Sequence, residues 1–202
     1  MRLRFLILAA LFAALTAVGS LIKIPLPGTL LVFTLQTFFV FLAGLLLPPR
    51  YAMASQAVYI AVGLLGLPVF STGGGFSYVL APSFGFLIGF ILCSGLLSLL
   101  ARKELSTLTH DGVHPVLRIV RVSLFSLLAI VVMYAVGVTY MYMIYRFYLH
   151  NPKTVGEVVI AGTGVFVLFD IAKMAIAVPI AAAVLKRLPS AADNPKSKKA
   201  AV

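Results

Sequence analysis

The chain has 202 residues, of which 62% are hydrophobic and 10% charged, with a mean hydropathy of +1.12 and a formal net charge of +11. Soluble domains carry about 25% charged residues, so too little polar surface is present here to coat a water-facing globule, and the composition points to an integral membrane protein. The pI near 10.1 does not indicate nucleic acid: the basic residues lie between apolar runs, an arrangement that suits the anionic cytoplasmic leaflet of a bilayer. Cys93 is the single cysteine, which excludes an intrachain disulfide.

Six long apolar runs follow one another along the chain: Phe5 to Ile22, Leu30 to Leu47, Tyr51 to Leu67, Ser83 to Ala101, Val122 to Tyr145, and Val165 to Leu185. Each is 17 to 24 residues long. About 20 residues of helix cross a hydrocarbon core of about 30 Å, so the runs predict an all-α integral membrane protein, a compact bundle of six transmembrane helices over residues 1–188. Residues 189–202, rich in Ala, Lys, Pro and Ser, read as a disordered basic cytoplasmic tail. Twelve of the 16 Lys and Arg residues fall on the side that carries both termini and three on the other, which predicts both termini in the cytoplasm. The connections are too short for a soluble catalytic or nucleotide-binding domain, so function is expected within the bundle and its loops.

The first span sets Ala9, Ala13 and Ala17 four residues apart along one stripe. Small residues at that spacing allow close helix contact in a bilayer, either within the same bundle or against another membrane subunit. The proline-rich connection Lys23 to Gly28 suits a stiff outer wall. In the second span, the Gln36 amide needs a partner, either as interhelical glue or in a pocket wall. The next outer connection carries Ser71, Thr72, Gly73, Gly74, Gly75, Phe76, Ser77 and Tyr78 without a charge. Its glycines permit positive φ and close backbone approach, which suits either a lid or wall over an outward-facing pocket or a plain turn. No Lys-Ser/Thr follows them, so this is not a phosphate-binding loop. His110 and His114, beside Pro115, Arg118 and Arg121, read as a cytoplasmic surface loop rather than a metal site. The fifth-span tyrosines Tyr134, Tyr140, Tyr142 and Tyr145 read as an interfacial belt near the outer face. Glu157 falls in the last outer connection, at a pocket entrance or in water.

The sixth span is the most informative. Asp170 and Lys173 are the only charges between Val158 and Leu185, and their spacing puts both on one helix face. Ionisable groups at membrane depth face a bundle interior or a wet cavity and are functional candidates by default. With Gly162 and Gly164 marking the helix start, Asp170 lies about 9 Å in, as suits a pocket open to the outside. The two form either an anchor for a ligand with N–H donors and an anionic group or a mutual ion pair that fixes packing. An intramembrane enzyme would need a nucleophile with its base or a metal constellation, and neither is evident. A solitary facilitative or proton-coupled carrier for another small vitamin-like solute remains the alternative, without an inverted repeat to support it.

Phe33-Thr34-Leu35-Gln36-Thr37, Leu42-Ala43-Gly44-Leu45-Leu46-Leu47, Gly66-Leu67-Pro68-Val69-Phe70 before the glycine loop, Phe86-Leu87-Ile88-Gly89-Phe90, and Asp170-x-x-Lys173 occur in this order. Together they resemble the BioY family, the biotin-specific substrate-capture (S) components of energy-coupling-factor (ECF) transporters. The resemblance implies a multi-pass protein of the bacterial cytoplasmic (inner) membrane that binds biotin from outside. Asp170 and Lys173 become polar anchors, with Gln36, Gly73, Gly74, Gly75, Phe76 and Tyr78 lining the site. It further implies that the stripe Ala9, Ala13, Ala17 docks onto a membrane coupling subunit (T component) driven by two cytoplasmic ATPases. No cofactor is then expected on this chain, ATP being used only by its partners.

Overall fold

A computed structural model describes residues 2–25, 32–108, 115–151 and 153–187. The chain is helical: α1 (Arg2–Leu21), α2 (Gln36–Leu46), α3 (Pro49–Leu64), α4 (Phe84–Leu108), α5 (Pro115–Met143), α6 (Val155–Gly162) and α7 (Gly164–Arg187). Because α6 and α7 follow each other across Thr163 alone, they form one helical pass, and six passes result. The regions 189–202 and 109–114, with His110 and His114, lie outside the described residues, as does the Leu26 to Gly28 part of the first outer connection.

Four helical stretches among the described residues are long and apolar enough to cross a bilayer: Leu3–Leu21, Phe84–Leu105, Leu117–Tyr148 and Val155–Arg187. The second and third passes are shorter than predicted. α2 has 11 residues, about 16 Å of helix, and α3 has 16. The front of the apolar run at 30–47 instead supplies strand β2 (Val32–Thr34), which pairs antiparallel with β1 (Lys23–Pro25), Lys23 opposite Thr34. Irregular or extended backbone at membrane depth persists only where protein buries it or a cavity borders it. β2 meets that condition, since all three of its residues border the main cavity.

α2 sits at the centre, with Val40, Phe41, Ala43 and Leu45 fully enclosed by α1, α3, α4 and α7. Its C-terminal carbonyls are satisfied from α4: Ser98 Oγ donates to the Leu47 carbonyl, and Arg102 Nε donates to the Leu46 carbonyl at 3.2 Å. At Gly44 the two helices touch backbone to backbone. A Cβ there would lie 2.8 Å from Leu97 Cβ and 2.9 Å from the Ser94 carbonyl oxygen. Gly44→Ala is therefore expected to destabilise the fold by about 1–3 kcal/mol, read as a lower thermal unfolding midpoint of the detergent-solubilised protein.

α5 ends in a π-helical turn, Ile144–Tyr148, and α6 opens with a capping box. Thr154 Oγ1 accepts from the Glu157 amide at 3.3 Å, while the Glu157 carboxylate accepts from the Thr154 amide at 2.8 Å. Glu157 thus caps a helix start and does not border the main cavity.

Candidate functional site

Asp170 and Lys173 lie one turn apart on α7, and both are buried. Asp170 Oδ1 accepts from Lys173 Nζ at 2.9 Å and from Thr37 Oγ1 on α2 at 2.6 Å; Oδ2 accepts from the Tyr134 hydroxyl on α5 at 2.7 Å. Three helices converge on one carboxylate.

Lys173 is equally committed. Its Nζ also donates to the Thr34 carbonyl at 2.7 Å and to Thr37 Oγ1 at 2.8 Å, and it stands 4.2 Å from the centroid of the Phe33 ring. An ammonium has three protons, and all three have acceptors here. The pair is thereby desolvated with its hydrogen bonds satisfied, which is the condition for keeping two charges inside an apolar bundle.

This cluster forms the floor of a cavity of about 600 Å³, its open mouth included. One wall is Val32, Phe33, Thr34 and Gln36, from β2 and the start of α2; an apolar wall comes from Phe86, Leu87 and Phe90 on α4, with Met133 and Phe166 completing the enclosure. On the loop side stand three hydroxyls, Ser71, Tyr78 and Ser83. The Tyr78 oxygen lies 3.2 Å from Ser71 Oγ and 3.1 Å from Ser83 Oγ. A mostly apolar lining with a few convergent polar groups is the usual composition of small-molecule sites. Among the described residues no group of three or more His, Cys, Asp and Glu is placed to hold a metal ion.

The BioY family model matches residues 1–190, nearly the whole sequence. The chain belongs to the BioY family. Among its relatives, the biotin transporter BioY of Thermotoga maritima is 35% identical over 182 residues, 89% of this chain and 94% of that one. The probable biotin transporter BioY of Lysinibacillus sphaericus is 44% identical over 158 residues, 78% of this chain and 74% of the other. The fold is similar to that of a solved structure, the S-component for biotin from an ECF-type ABC transporter, with a TM-score of 0.72, 24% identity and 93% of each chain covered.

Within this BioY-family chain, four of the eight residues expected to form the ligand site border the cavity: Asp170, Lys173, Gln36 and Tyr78. Gly73, Gly74, Gly75 and Phe76 do not. The glycines shape the loop behind the wall: Gly73 and Gly75 have φ of 132° and 98°, Gly73 bridges to Phe70, and the Gly75 amide donates to the Gly63 carbonyl at 2.7 Å. Phe76 points outward, 79% exposed. Ala9 and Ala13 are buried in the chain's own core and Ala17 packs against it, so the alanine stripe is occupied by intrachain packing against α2 and α3. Leu3, Leu6, Ile7, Leu11, Val18 and Leu21 are the large apolar side chains that α1 leaves exposed.

Three of the four tyrosines expected in an interfacial belt turn inward, Tyr145 into a small buried cluster with Met141 and Val158. Tyr134 is buried on Asp170, and Tyr140 donates to the Val79 carbonyl on the loop before α4. The signal for Tyr134 was its depth, near the middle of the longest span, where a phenol is too far from either interface to reach water. Thr34 and Thr37 flank Gln36 in the sequence, and the polar cluster uses the Thr37 hydroxyl and the Thr34 carbonyl, whereas the sequence pattern points only to the Gln36 amide as needing a partner.

Proposed function

We propose that this chain captures biotin and serves as the S component of an ECF-type ABC transporter. The observation that carries this is the sealed cluster of Asp170, Lys173, Thr37 and Tyr134 at the floor of a cavity open between membrane-crossing helices, in a chain of the BioY family. Relatives named as biotin transporters support the ligand.

The chemistry of the floor favours one orientation. The protons of Thr37 and Tyr134 are spent on Asp170, and those of Lys173 on Asp170, Thr37 and Thr34. What remains toward a ligand is acceptor capacity, so the ureido ring with its N–H donors enters first. The carboxylate then lies toward Ser71, Tyr78 and Ser83, whose hydroxyls are free to turn a proton to it. Gln36 and Tyr78 contribute directly, and Gly73, Gly74 and Gly75 act through the shape of the loop.

In this reading both termini are cytoplasmic in a bacterial inner membrane, as the Lys and Arg distribution favours, and the cavity mouth faces outside. The chain has no cofactor of its own. A membrane coupling subunit and two cytoplasmic ATPases supply the energy, and the outward apolar face of α1 replaces the alanine stripe as the side available to that coupling subunit.

The test is equilibrium binding of biotin to the detergent-purified protein, alongside Asp170→Asn and Lys173→Ala. Nanomolar-range binding that each substitution weakens by more than tenfold, about 1.4 kcal/mol, is the expected result. A folded wild type that does not bind biotin overturns the ligand, and tight binding unchanged in both variants returns the pair to a packing role.

A further inference from the structure

Beneath the cavity wall lies a residue that does not itself border the cavity. Tyr59 on α3 is 1% exposed, yet it touches the roots of two site elements. Its hydroxyl is 2.9 Å from the Val69 carbonyl, at the start of the glycine loop, and it also meets Gln36 Nε2. Its ring stands edge-on to Phe70 at 5.6 Å, and Phe70 packs on Tyr78 at 4.5 Å.

The direction of these hydrogen bonds follows from proton counting. A carbonyl only accepts, so the single Tyr59 proton goes to Val69, and toward Gln36 the phenol is left as an acceptor. The amide must therefore present its NH2 to Tyr59. That turns Gln36 Oε1 to Thr34 Oγ1, 2.9 Å away, and because Oε1 only accepts, the Thr34 proton is spent on it. Thr34 borders the cavity, and its hydroxyl proton is no longer available.

We propose that Tyr59 is a positioning residue for ligand selection: by holding the Gln36 amide in one orientation it keeps Thr34 a hydrogen-bond acceptor for a ligand N–H. The proposal rests on the biotin reading for the identity of that ligand. Tyr59→Phe keeps the ring against Phe70 and removes only the hydroxyl, and the Val69 carbonyl retains Ser20 Oγ at 2.6 Å, whose one proton is shared with the Ala17 carbonyl at 2.7 Å.

The experiment measures dissociation constants for biotin and for biotin methylated on a ureido nitrogen, using wild type, Tyr59→Phe, Gln36→Ala, the double variant and Ser20→Ala. Tyr59→Phe is expected to weaken biotin about tenfold and the methylated analogue much less, so that selectivity shrinks. In the Gln36→Ala background it is expected to change biotin affinity less than about twofold, since coupled residues are not additive. Additive effects, unchanged selectivity, or an equal effect from Ser20→Ala, which reaches Val69 but not Gln36, overturn the proposal. A second measurement needs neither a variant of Tyr59 nor biotin. Gln36 and Gln56 are the only glutamines in the chain. In wild-type protein labelled with 15N-glutamine, the Gln36 side-chain amide is expected to be dispersed and protected from exchange, and a freely exchanging amide overturns the proposal. If wild type binds no biotin, the ligand reading fails, while this spectrum still decides whether the amide is held.

Discussion

Lys173→Met is expected to reduce biotin affinity by more than a hundredfold and to lower stability by about 3–5 kcal/mol, the cost of leaving one member of a buried ion pair without the other. The side chain volumes are similar, so no large cavity is created. What is lost is charge and three protons: Asp170 keeps Thr37 and Tyr134 but no cation, and the Thr34 carbonyl loses its donor. The companion Asp170→Asn/Lys173→Met is expected to recover much of the stability and none of the binding, because replacing both charges removes the desolvation problem together with the recognition. Thermal unfolding and equilibrium biotin binding on both variants check this. A double variant as unstable as the single one would assign the loss to the Thr34 carbonyl, and hence to the β1–β2 hairpin, instead of to the uncompensated carboxylate.

Gly74→Ala is expected to weaken biotin by more than tenfold, although Gly74 touches no part of the cavity. A Cβ at this position would lie 2.1 Å from the Leu67 carbonyl oxygen and 2.8 Å from its carbon, and both are backbone atoms with no rotamer to escape into. The loop must shift. Ser71 and Tyr78 lie on either side of Gly74 in the chain and carry two of the three hydroxyls on the loop side of the cavity, so they shift with it. Overpacking of this kind costs about 1–3 kcal/mol. Phe76→Ala, two residues away, removes a much larger group that is exposed, and is expected to change binding less than about twofold. Binding constants for the two variants, measured side by side, separate a loop that acts through its backbone from one that acts through its aromatic side chain.

These contrasts mark what the residues alone make legible. Two charges in a long apolar stretch admit few arrangements, and Asp170 and Lys173 emerge buried, paired and facing a cavity for that reason. Apolar length gives the number of helical passes but not their internal structure. The run at 30–47 has no charge to interrupt it, and a buried strand of Val, Phe and Thr is indistinguishable by periodicity from the first turns of a helix. Its Gln36 and two threonines were the trace of a polar-lined wall. The alanine stripe carries the same pattern whether the neighbour is the chain's own α3 or another subunit, and only packing decides between them. The glycine loop reads as ligand-facing because glycine permits close approach, but that approach is made to Leu67 and Gly63 and not to the cavity.

The shortness of α2 has an electrical consequence. A helix that crossed the whole bilayer would place its ends at the two interfaces, whereas this one begins at the cavity floor, with Thr37 in its first turn bonded to Asp170. The partial positive charge of a helix start, about half a unit, is thus brought beside a carboxylate already matched by the ammonium of Lys173. The sum of the three leaves the deepest part of the site slightly positive. That field tolerates a neutral or anionic solute and opposes a cationic one, so charge sign serves as a first filter before any hydrogen bond is formed.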